Sequence, residues 1–153
     1  MKASLPVSLE RGAFILARRK SKDSKIYTNW MIYAESDLRA ADSLRKNKHT
    51  LLLSAFHSQQ AIEKTLKAYM LAQKGYAPDG HNIIFLCKTA AKVNKGFYDW
   101  IDECIALNNY YIQTRYPPDF PLEIDKATAK RLSNMAQDLY KFTFKELAKA
   151  QFA

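Results

Sequence analysis

One uninterrupted stretch, Leu51–Lys74 (LLLSAFHSQQAIEKTLKAYMLAQK), constrains the fold of this chain more than any other. It holds no Gly or Pro, and Leu52, Phe56, Gln59, Ile62, Leu66 and Met70 recur at three- and four-residue steps, which places them on one helical face. The pattern predicts a long, buried helix. Gln59, Gln60 and Glu63 fall in its middle, flanked by His57 and Lys64, a density of polar groups that packing alone does not require. They either satisfy one another in the core or form a site.

The remaining segments arrange themselves around that helix. Trp30, Tyr33, Ala34, Asp37, Leu38, Ala41 and Leu44 predict a helix over about 28–45, with Thr28 as its N-cap. The polar turn at 46–49 is short enough to force the two helices into antiparallel contact. Asp37 then sits on an apolar face, where an unpaired carboxylate is costly, and Gln60 and Lys64 are the candidate partners. Gly75 reads as a C-terminal cap, and Pro78, Asp79 and Gly80 as a turn. A third helix over about 82–92 buries Ile83, Leu86, Cys87 and Ala90, and His81 just before it either caps backbone groups or meets an anion. A fourth runs over about 97–113, until Pro117, Pro118 and Pro121 impose an extended loop. The last spans roughly 123–148, with an acidic start and a basic end that suit the helix dipole. No stretch alternates with period two, so the expectation is an all-α, up-and-down bundle of about five helices over 28–150. Residues 1–27, with their run of Arg18, Arg19, Lys20, Lys22 and Lys25, read as a basic N-terminal arm.

Charge is distributed unevenly. Residues 1–48 hold eleven Lys/Arg against five Asp/Glu, and 49–96 six against two, whereas 97–153 are near balance with seven against eight. Such a field attracts phosphates and acidic partners, and it also serves solubility. Cys87 and Cys104 belong to no metal-ligand or CxxC spacing and read as reduced core thiols of a cytoplasmic protein. No run approaches the roughly 18 apolar residues of a membrane span. His49, His57 and His81 form no metal grouping, no phosphate loop or nucleophile motif is present, and no cofactor is expected. In the proline loop, Arg115 offers a planar five-donor group suited to phosphate, and Tyr110, Tyr111 and Tyr116 offer faces for a base; a bridge from Arg115 to a helix carboxylate is the alternative.

Trp30 with AESDL at 34–38, AFHSQQAIEKTLKA at 55–68, HNIIFL at 81–86 and TRYP at 114–117 together resemble the HEPN family (higher eukaryotes and prokaryotes nucleotide-binding). The resemblance covers about residues 28–148. It implies a helical bundle that forms a homodimer, works beside a minimal nucleotidyltransferase in a toxin-antitoxin pair, and binds or cuts RNA. Members that cut carry an arginine and a histidine separated by four to six residues. No arginine of this chain has such a histidine; Arg45 and His49 have three residues between them. The expectation is therefore a nucleotide- or RNA-associated binding protein rather than an enzyme. Its binding candidates are Arg115, Tyr116, Lys64 and His57, and its structural polar cluster is Asp37, Gln59, Gln60 and Glu63. The alternatives are a ribonuclease with a departed motif, using His57 or His49 as base and Arg115 as phosphate clamp, and a purely structural interaction module.

Overall fold

A computed structural model describes residues 23–110 and 123–153, and the described residues contain five α-helices and no strand. They are α1 (Tyr27–Leu44), α2 (Leu51–Lys74), α3 (Ile83–Val93), α4 (Ile101–Asn108) and α5 (Lys126–Gln151), with 3-10 turns at Asp23–Lys25 and Lys95–Trp100. None of these helices is long and apolar enough to cross a membrane. Most of the basic arm, and the proline loop with Arg115 and Tyr116, lie outside the described residues.

α2 is the central element and has the limits its sequence predicts. Gly75 ends it in the left-handed conformation (φ 78°), donating its N–H to Leu71 O at 3.0 Å. Leu66, Ala61, Ala55 and Ile62 are buried on it, as are Ser54, Ser58, Gln59 and Thr65, so it is enclosed on most of its circumference. The contacts of α1 with α2 run in opposite directions along the two helices: Ala41 meets Ser54, Asp37 meets His57 and Lys64, and Trp30 meets Lys67. That descending-against-ascending order is an antiparallel pair. α5 packs along α2 and reaches α1, and α3 and α4 close the remaining side around Phe97, Leu86, Cys87, Cys104 and Leu107.

Caps explain where the helices begin. Asn82 opens α3 by accepting from the N–H groups of Ile84 and Phe85 (3.0 and 3.1 Å), and Asp125 opens α5 by accepting from Thr128 N at 2.7 Å. His81 therefore does not cap α3. α1 departs from the expectation as well: its N-cap is Ile26, Thr28 lies inside the first turn, and the buried Thr28 hydroxyl has no partner among the described residues. The predicted fourth helix begins instead as a 3-10 turn, because Asn94 Oδ1 accepts from Gly96 N at 2.9 Å and tightens the chain there. Gly96 is required by close approach, since a Cβ at that position would stand 2.8 Å from Phe142 Cζ.

Candidate functional site

His57, Gln60, Lys64 and Lys67 follow one another at three- and four-residue steps along α2, and Trp30, Tyr33 and Asp37 do so along α1. The antiparallel pairing sets the two rows face to face. Asp37, 8% exposed, lies between two side chains of α2: His57 Nδ1 is 2.8 Å from one carboxylate oxygen, and Lys64 Nζ donates to the other. With the carboxylate ionised, Nδ1–H is the donor, which directs Nε2 of the imidazole away from Asp37.

A second network lies one helical turn further. Glu63 Oε1 accepts from Lys67 Nζ at 3.1 Å and faces His81 Nδ1 at 3.0 Å. Gln60 Nε2 donates to Gln59 Oε1 at 2.8 Å and, at 3.3 Å, to Glu63 Oε2; Gln59 Nε2 donates to the His81 carbonyl at 3.1 Å. Burial of Glu63 and Lys67 makes this pairing obligatory, because removing either partner leaves a charge with little water around it. The Lys67 ammonium also stands 5.7 Å from the centroid of the Trp30 ring, within cation–π range.

Trp30 and Tyr33 of α1 border a cavity of about 280 Å³ that is lined by Ser24, Asn29, Trp30, Tyr33 and Lys64. The Trp30 indole N–H donates to the Ser24 carbonyl at 3.0 Å, which fixes the ring as a wall. Tyr33 is 57% exposed, and the cavity wall is almost wholly apolar, so Lys64 lines it with its aliphatic stem while its ammonium is turned to Asp37. This is an apolar slot bordered by two aromatic side chains, with the Lys64–Asp37 ion pair next to it. A broader cleft of about 440 Å³ lies elsewhere, beside Tyr69, Asn94, Glu146 and Lys149, where Glu146 accepts from both Asn94 and Lys149. There the Lys149 ammonium and the Asn94 amide hold the Glu146 carboxyl below the usual carboxylate range against the opposing effect of burial, which pushes the Tyr69 hydroxyl up. Among the described residues no cluster of His, Cys, Asp and Glu has the makings of a metal site.

The sequence-derived candidates are only partly brought together. Lys64 does pair with Asp37, but Gln60 does not: the other partner is His57, and Gln60 turns to Gln59 and Glu63. His49 lies in the exposed turn between α1 and α2. Tyr33, expected in the core, points outward. Trp30, Tyr33 and Lys67 are the site residues that periodicity concealed or passed over, since aromatics at helical spacing look alike whether they fill a core or border a slot. Arg115 and Tyr116 lie outside the described residues.

A profile of the HEPN domain family matches residues 27–147, which takes in all of α1 to α4 and most of α5. The chain belongs to the HEPN domain family. Among solved structures, the HEPN bundle described here is similar to TT1696 from Thermus thermophilus, with 27% identity and a TM-score of 0.70 over 78% of this chain and 96% of that one. It also resembles ST0689, an archaeal HEPN homologue, with 23% identity and a TM-score of 0.64 over 80% of this chain and 98% of that one. No curated protein matches this HEPN chain.

Proposed function

We propose that this HEPN protein is a nucleotide- or RNA-associated binding protein whose aromatic slot between α1 and α2 takes a base while Lys64 takes its phosphate. The observation that carries the reading is the cavity itself: Trp30 and Tyr33 give it two aromatic residues, and Lys64 lies among its lining residues. Stacking is sequence-tolerant because every base has a π-face, and an ammonium supplies a point charge for phosphate. The basic first two thirds of the chain provide a long-range field of the right sign. In that role the protein works as a homodimer in the cytoplasm beside a minimal nucleotidyltransferase, as one member of a toxin-antitoxin pair.

Tyr33 supplies the cleanest test because it is exposed. Tyr33→Ala is expected to weaken binding of a short RNA by about tenfold, within the roughly 1–3 kcal/mol that one stacked base contributes. Its unfolding free energy should stay within about 0.5 kcal/mol of the parent. Quenching of Trp30 fluorescence on titration gives the affinity. Equal affinities for parent and variant would remove the slot from the binding surface.

A second reading, ribonuclease activity, is favoured by one observation: Asp37 orients His57 at 2.8 Å in the manner of a carboxylate behind a general base. It predicts cleavage of labelled RNA in the presence of a chelator, lost in His57→Gln. Intact RNA after prolonged incubation would leave the binding role alone.

A further inference from the structure

Asp37 stands beside the cavity and holds the cation the ligand needs. We propose that Asp37 is an internal counter-anion that competes with a ligand phosphate for Lys64 and so sets how strongly the slot discriminates phosphorylated from neutral ligands. The inference rests on the slot reading above and names what regulates it.

The geometry supplies the competition. Lys64 Nζ donates to one oxygen of Asp37, and Lys64 is also a lining residue of the 280 Å³ cavity. Its side chain is 25% exposed and that of Asp37 11%, so water screens their interaction only in part. A phosphate arriving at Lys64 therefore meets an ammonium whose charge is already neutralised, with a carboxylate close behind it. The neighbouring carboxylate, Glu63, is engaged on its own side by Lys67 and His81, and Gln60, next to it, is neutral. Asp37 has an alternative donor, His57, on its other oxygen. A phosphate gains Lys64 to the extent that Asp37 relaxes onto His57. A neutral nucleoside uses the aromatic walls and meets none of this.

The consequence runs against the ordinary effect of deleting a polar residue at a binding site. Asp37→Asn keeps the shape, removes the negative charge and is expected to tighten binding of the deoxydinucleotide dApdA by about tenfold, the change that 1.4 kcal/mol gives. Deoxyadenosine should bind Asp37→Asn and the parent equally. Glu35→Gln removes a carboxylate that sits on the same helix but pairs with Arg39, and should change neither affinity. His57→Ala acts in the opposite direction: it leaves Asp37 to Lys64 alone and should weaken dApdA by about threefold, roughly half the tenfold step on a logarithmic scale. Calorimetry on the full chain at low salt reads all four.

Asp37→Asn binding dApdA no tighter than the parent, or a gain shared by Glu35→Gln or by deoxyadenosine, overturns the proposal while leaving the slot intact. A parent that binds neither ligand removes the slot and the proposal together. Should Asp37→Asn not fold, His57→Ala decides, because unchanged or tighter dApdA binding there is incompatible with competition.

Discussion

Asp37 is a residue whose neighbours are placed for it by two different elements. Removing its carboxylate strands Lys64 and His57 against each other, so Asp37→Ala is expected to lower stability by about 1–3 kcal/mol, the usual cost of leaving a buried polar partner unsatisfied. A denaturant midpoint equal to that of the parent would show the contact contributes nothing. Gly96 is constrained by volume instead: its α-carbon faces Phe142, whose ring is 5.0 Å from Phe97 and 5.6 Å from Trp100 between centroids. The ring has little room to yield. Gly96→Ala should therefore cost about 1–3 kcal/mol as an overpacking change, read from the thermal midpoint. A midpoint at or above the parental value would mean the aromatic cluster repacks freely. At this scale the sequence is legible in kind but not in detail. That Asp37 needs a cation follows from its place on an apolar face; that His57 rather than Gln60 shares it does not, because all three α2 candidates lie within about two turns of one another and only side-chain reach decides.

Among the elements, helix ends show which signals are local. α2 is legible to the residue because a cap in the left-handed region closes it and no Gly or Pro interrupts it. The start of α1 is not, since Thr28 has the composition of a cap but the chain turns two residues earlier, and the 3-10 entry to α4 depends on Asn94, whose amide is simultaneously held by Glu146 at 2.8 Å. Long-range tethers of this type leave no periodic trace. Asp125 is local, and its behaviour with pH follows from its contacts: hydrogen bonds from the Thr128 side chain and backbone hold its carboxyl below the usual range. A carboxyl with a lowered folded-state pKa adds stability above its unfolded-state pKa, and that contribution disappears as pH falls through the folded-state value. Asp125→Ala should melt below the parent near about pH 7, with the gap narrowing as the pH falls through the lowered folded-state pKa. A gap that persists unchanged in acid would assign the effect to something other than the ionised cap.

At the level of the whole molecule, Leu53, Phe85 and Ile105 remain 47, 58 and 49% exposed, large apolar side chains that the bundle itself does not cover. We expect a homodimer in solution; sedimentation showing a monomer at micromolar concentration and above would remove that expectation. The all-α class and the order of the helices are legible because each carries its own apolar stripe, whereas the slot is not, since it arises only where two stripes meet and one aromatic of α1 is left over. The interior also carries a built-in clock. Cys87 and Cys104 are free and fully enclosed, and Cys87 Sγ donates to the Phe97 carbonyl oxygen at 3.3 Å. Neither thiol can meet an alkylating reagent until α3 and α4 part. The rate at which the native protein is labelled therefore counts those openings directly, with no probe to be engineered, and comparing it with the global unfolding rate tells whether this half of the bundle opens alone.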